Sequence, residues 1–279
     1  MRVANLCLAI AGAFFLLPAC QKDAAVITKA IVKDTVESAP PQLKGVTVNI
    51  NANAVGYFAG IPAMYNETTK RYPLLIYIPG LGHFGNGDSE LPLLLSDGIP
   101  ALLDTKKFPA NLKVGGVNFS FIVLAPQFKT YISNDDIQTV INYAKATWRI
   151  DTSRIYVTGF SLGGRAVADF GAYNTATIAA IVPISGAATW DVDLKGETIA
   201  KGKLPVWAFH NLEDQLIPVE ESKSFVAAIN SHNPTIPAKL TIFPFSQAIL
   251  KHDAWTTACD PTYKENGMNI YEWMLQFKK

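Results

Sequence analysis

The sequence predicts one α/β domain on a mostly parallel, doubly wound sheet of about eight strands. Three observations carry that expectation. Short apolar runs rich in β-branched residues recur along the chain, segments of helical period separate them, and 49% hydrophobic content over 279 residues is enough to fill a sizeable core. Stretches 44–50 and 54–61 alternate as two early strands. Stretches 72–78 (YPLLIYI), 119–125 (FSFIVLA), 154–158, 178–184, 205–209 and 238–243 are nearly continuous apolar runs, the mark of strands covered on both faces in a parallel sheet. Between them, 134–148 carries a helical stripe through Ile137, Val140, Ile141, Ala144 and Trp148, and 219–229 and 269–277 carry similar stripes. In such a sheet, ligands bind outside the carboxyl ends of the strands.

The N-terminus has a different logic. Met1 and Arg2 precede an apolar run over 6–17, followed by Pro18, Ala19 and Cys20. A basic start, a run too short to span a bilayer and a small residue before the cut describe a secretory signal. The ending Leu17-Pro18-Ala19-Cys20 also resembles a bacterial lipobox, in which the cysteine is lipidated; the plainer reading is an ordinary signal with Cys20 incidental. The expected division is a lipoprotein-type signal at 1–19, lipidated Cys20 and a flexible tether over 20–43 with Pro40 and Pro41, and the domain at 44–279. Localisation follows as an exported bacterial lipoprotein, anchored through Cys20 to a membrane, periplasmic or at the cell surface. Cys259 is then the one thiol left in the domain.

Composition excludes several classes. A net charge of +1 lacks the basic excess of a nucleic-acid binder, and the hydrophobic content excludes a disordered chain. Three cysteines make neither a disulfide scaffold nor a thiolate zinc site, and Asp88, Asp191 and Asp193 form no recognisable metal loop, so no metal and no cofactor are expected.

The most informative stretch is RIYVTGFSLGGRAVADF over 154–170, in which Gly159-Phe160-Ser161-Leu162-Gly163 follows a predicted strand and precedes a predicted helix. A strand-to-helix elbow exposes a serine hydroxyl only if the residues two before and two after lack bulky side chains, and Gly159, Gly163 and Gly164 meet that demand. A serine hydroxyl is a weak nucleophile at neutral pH and needs a base with an orienting acid, here expected in the order Ser, acid, His. His252, after the last core strand, is the candidate base; His232 reads as the solvated end of a helix. Asp214, after the strand at 205–209, is the candidate acid, with Glu213 as its rival and His210 as a hydrogen-bonded residue at the strand end. Acyl transfer also needs two N–H donors for the oxyanion. Leu162 supplies one, and Leu81 supplies the other from the loop Pro79–Asp88, whose four glycines allow close backbone approach. His83 in that loop and Trp190 after the strand at 178–184 are candidate cleft residues, each with surface or packing roles as the alternative. Trp255 is expected to pack beneath the His252 loop.

Four stretches, NETTKRYPLLIYIPGLGHFGNGD, DTSRIYVTGFSLGGRAVADF, PVWAFHNLEDQLIPVEES and HDAWTTACDPTYKENGMNIYEWML, together resemble the α/β-hydrolase superfamily. Within it they are similar to the bacterial secreted esterases that include polyhydroxybutyrate-depolymerase-like, feruloyl-esterase-like and predicted peptidase proteins. The resemblance spans nearly all of 56–279. It implies an α/β-hydrolase fold without a large cap, and a serine hydrolase acting on a small-molecule or polymer ester with Ser161, Asp214 and His252 as triad. Two positions depart from the family pattern, which has His-Gly in place of Pro79-Gly80 and of His210-Asn211; the first departure removes a supporting hydrogen bond from the oxyanion loop. The rival readings are a serine peptidase of the same fold and a catalytically silent surface module that binds glycan or polymer.

Overall fold

The computed structural model describes residues 36–279. The signal, Cys20 and the tether up to residue 35 lie outside the described residues. In chain order the elements are β1 (Gln42–Thr47), β2 (Ala54–Ile61), β3 (Tyr72–Ile78), α1 (Gly98–Asp104), β4 (Leu112–Val114), β5 (Val117–Phe119), β6 (Ile122–Phe128), α2 (Asn134–Thr147), β7 (Ile150–Phe160), α3 (Leu162–Tyr173), β8 (Ala180–Ile184), α4 (Val192–Lys201), β9 (Trp207–Asn211), α5 (Glu220–Ser231), β10 (Lys239–Phe243), α6 (Trp255–Cys259) and α7 (Ile270–Met274).

Eight strands form one sheet in the order β1-β2-β6-β3-β7-β8-β9-β10, and β4 and β5 make a separate hairpin. From β6 to β10 all pairings are parallel, while β1 and β2 join antiparallel at one edge. The chain leaves β3 for β6 on one side and returns to β7 on the other, so the crevice at the carboxyl ends of β3 and β7 is a topological switch point.

Every residue of β3 is buried, and the alternation of its side chains explains why. Leu74, Ile76 and Ile78 join a core with α2, α3 and α5, whereas Leu75 and Tyr77 join one with α1, α6 and α7 on the opposite face. Two helical layers therefore cover the sheet, as the unbroken apolar runs require. Helix α2 starts where Ser133 and Asp136 cap each other reciprocally, satisfying N–H groups that the first turn leaves open.

Two boundaries differ from expectation for physical reasons. The stretch 119–125 splits into β5 and β6, and β6 runs on to Phe128 through Gln127, a polar residue whose amide is used by a loop rather than by solvent. Helix α4 has weak sequence signal because Gly196 interrupts it; a Cβ there would come within 2.7 Å of the Ala228 carbonyl carbon, so the glycine is the close-approach point between α4 and α5.

The tether also ends earlier than expected. Strand β1 begins at Gln42 rather than 44, and Glu37 is buried. Its carboxylate accepts from Met64 N (2.7 Å) and Ser120 Oγ (3.1 Å), with Lys70 Nζ at 3.7 Å, and its backbone exchanges hydrogen bonds with the Asn111 side chain. The described part of 20–43 is thus fixed to the domain.

Candidate active site

Ser161 sits at the carboxyl end of β7, where the chain reverses into α3. Its backbone is at φ +56°, ψ −122°, a region that L-residues adopt only when the surroundings enforce it. What enforces it is proximity. A Cβ on Gly159 would lie 2.6 Å, and one on Gly163 2.3 Å, from the Ile78 carbonyl oxygen, so β3 presses against both sides of the turn. Ser161 N then donates to Ile184 O at 2.9 Å, tying the turn to β8.

His252 enters from the loop after β10. Leu250 and Lys251 just before it both have positive φ, so this reversal is strained, and it is held from two sides. Asn211 Nδ2 donates to Lys251 O and Ser185 Oγ donates to His252 O, each at 2.8 Å. The imidazole lies between two partners: Nε2 is 2.8 Å from Ser161 Oγ and Nδ1 is 2.6 Å from Asp214 Oδ2. An ionised carboxylate can only accept, so Nδ1 carries the proton and Nε2 is free to accept from the serine hydroxyl.

Asp214, in the turn after β9, has a fully buried side chain. Burial pushes its carboxyl up, but hydrogen bonds from His210, His252 and the backbone N–H groups of Ile217 and Leu216 outweigh burial and hold it well below the usual carboxylate range. The two backbone donors reach Oδ1 at 2.9 Å each, and His210 Nε2 is 3.3 Å from Oδ2. His210 itself is fully buried, between Ser222 Oγ (2.8 Å) and Ile217 O (2.9 Å). Sequence reasoning placed it at a strand end but missed its contact with the acid; its four-residue spacing from Asp214 is the signal that pointed there. The rival acid Glu213 is exposed and pairs with Lys251, and His232 pairs with Asp193 at the surface.

Leu162 is the first residue of α3 and Leu81 the first of a short 3-10 helix over 81–83, so neither N–H has an acceptor within its own helix. The carbonyls of Ile78 and Pro79 both crowd Gly163, which brings the loop leading to Leu81 alongside the first turn of α3. Gln127 braces that loop from beneath, accepting from Gly87 N (2.8 Å) and donating to Glu90 O (2.8 Å) and His83 O (3.1 Å).

One candidate cleft residue is corrected. His83 does not line a cleft: it is 8% exposed, its Nε2 meets Ser96 Oγ (2.9 Å) and Asp97 Oδ2 (3.0 Å), and its ring stands edge-on to Phe160. Asp97 carries the contact onward. Its other oxygen accepts from Trp255 Nε1 at 3.2 Å, and the Trp255 ring packs against Phe160 and edge-on to His252. The hydrogen bond from His83, with those from Trp255 and Ser96, lowers the Asp97 carboxyl below its ordinary range against the effect of burial. Trp255 therefore supports His252, as expected, and Asp97 joins the Pro79–Asp88 loop to the His252 loop. Trp190 is 77% exposed and borders a groove of about 220 Å³ that Leu162 also lines. A larger cavity of about 600 Å³, bordered by Lys113, Phe119, Arg154 and Leu275, contains none of these residues.

The family model described as Dienelactone hydrolase family matches residues 118–249, which include Ser161 and Asp214. A crystal structure of a thermostable esterase superposes with a TM-score of 0.59 at 20% identity, covering 88% of this chain and 64% of that one. The chain has the α/β-hydrolase fold. An acylaminoacyl peptidase from Pyrococcus horikoshii shares this α/β-hydrolase fold at a TM-score of 0.51 and 13% identity, over 75% of this chain and 38% of that one. In sequence, the chain is 28% identical over 115 residues to a bifunctional acetylxylan esterase/xylanase from Neocallimastix patriciarum, a match that spans 38% of this chain but 16% of that protein.

Proposed function

We propose that this α/β-hydrolase cleaves carboxylic esters through a covalent acyl-enzyme on Ser161. The observation that carries the reading is the unbroken hydrogen-bonded line from Ser161 Oγ through His252 to Asp214, located at the sheet's switch point. His252 Nε2 takes the hydroxyl proton as Oγ attacks the ester carbonyl. Asp214 keeps the proton on Nδ1 and stabilises the imidazolium. The N–H groups of Leu162 and Leu81 donate to the oxyanion, and His252 then protonates the departing alkoxide. Water, deprotonated by the same Nε2, attacks the acyl carbonyl and returns Ser161 to its free form. Acylated polysaccharide and polyester are the two ester classes suited to an exported enzyme. Export itself, with lipid on Cys20, belongs to this proposal; a Cys20→Ala chain that still partitions with membranes would overturn it.

The same geometry serves an amide, and a peptidase shares the fold, so the decisive comparison is between leaving groups. Short 4-nitrophenyl acyl esters are expected to turn over, and aminoacyl 4-nitroanilides to react at least a hundredfold more slowly. Ser161→Ala should abolish the ester activity; cleavage of anilides alone would make the protein a peptidase.

A further inference from the structure

Resting on the ester-hydrolase reading, we infer that the groove between Tyr131 and Trp190 is a subsite for a neutral pyranose ring on the alcohol side of the ester. The groove lies next to the nucleophile, since Leu162, the residue after Ser161, is part of its lining. Tyr131, between β6 and α2, and Trp190, between β8 and α4, both border it and are 68% and 77% exposed. What sets these two exposed aromatic side chains apart is that both border one groove beside Ser161. The Tyr131 side is tied to the domain through its backbone: Asn53 Nδ2 donates to Tyr131 O at 3.0 Å.

The lining selects among ligands. Beside Ile132 and Ala166 it includes Arg165, paired with Glu221, Asp169, paired with Lys195 at 2.7 Å, and Thr189. An aliphatic acyl chain lying there would strip water from two ion pairs without replacing its hydrogen bonds. An aromatic acyl group would stack but offers little to the Thr189 and Tyr131 hydroxyls and the Trp190 indole N–H, none of which has a protein partner among the described residues. A pyranose satisfies both demands, because its C–H faces stack on aromatic rings while its equatorial hydroxyls exchange hydrogen bonds at the edge. The two ion pairs cancel in charge, which suits a neutral sugar rather than an acidic one.

The test holds the acyl group constant and changes the alcohol. For the full chain, kcat/KM is measured on acetylated xylo-oligosaccharide and on 4-nitrophenyl acetate. Trp190→Ala and Tyr131→Ala should each lower the ratio of the two at least tenfold, mainly through KM, and Trp190→Phe should restore most of it. Ratios within twofold of wild type in both alanine variants would overturn the inference. Binding gives an independent arm: unesterified xylotetraose, titrated into Ser161→Ala, should shift the indole resonance of Trp190, and hexanoate and ferulate should not. Saturation by ferulate instead of xylotetraose would assign the groove to the acyl side. If the wild type hydrolyses no ester at all, the ester-hydrolase reading fails while this titration still decides the groove.

Discussion

Four donors converge on the Asp214 carboxylate, which makes the most specific residue-scale prediction. Two histidines and two backbone N–H groups hold its carboxyl below the usual range despite burial. A carboxyl whose pKa is lower in the folded than in the unfolded chain contributes stability that is complete above the unfolded value, about 3.9, and is lost as pH falls toward the folded one. Urea unfolding of Asp214→Asn should therefore lose less stability than wild type between about pH 5 and pH 2.5, whatever its absolute stability. The same variant offers Nδ1 an amide instead of an obligate acceptor, and its kcat should fall by about 10³- to 10⁴-fold. Most of this site was legible in the chain: the G-x-S-x-G at a strand-to-helix boundary and the order Ser, Asp, His selected the three side chains the fold brings together. His83 was misplaced because a loop histidine gives no sequence sign of facing inward; only the arrival of Asp97 and Phe160 from distant segments buries it.

At the scale of elements, the site is assembled from four loops, and Asp97 links two of them. It stands at the start of α1, accepts from His83 in the Pro79–Asp88 loop and from Trp255, which opens α6 beneath His252. Removing it leaves the donors of both loops without their common acceptor. Asp97→Ala should lower kcat by about tenfold or more with KM nearly unchanged, since small displacements of positioned groups cost rate more than ground-state binding. Circular dichroism of wild-type shape would confirm that the fold persists, and an unchanged kcat would remove Asp97 from the account. Helix α1 illustrates what escaped the sequence: seven residues containing Pro100 do not show a period, and their helical state is fixed by packing Ile99 and Leu103 against the sheet. Strands β2 and β3, by contrast, were readable to the residue because alternation or an unbroken apolar run ends abruptly at Pro62 and Pro79.

For the whole molecule, the sheet order places every proposed reacting group at one edge of a rigid core, and the segment leading into β1 is part of that core. Glu37 shows this most clearly, because a carboxylate so placed has replaced water with Met64 N, Ser120 Oγ and Lys70. Glu37→Ala should cost about 2–4 kcal/mol in urea unfolding, whereas a free tether would cost nothing. The sequence read 36–43 as tether because Pro40-Pro41 and the lack of period resemble a linker; the anchoring comes from single long-range contacts that leave no periodic trace. The central claim concerns chemistry at Ser161, and labelling with a fluorophosphonate, followed by peptide mass spectrometry, tests it most directly. We predict one phosphonate per chain, on the peptide containing Ser161, with esterase activity lost in proportion to labelling and no label on Ser161→Ala. Full activity in completely labelled protein, or a label that persists in Ser161→Ala, would contradict the account.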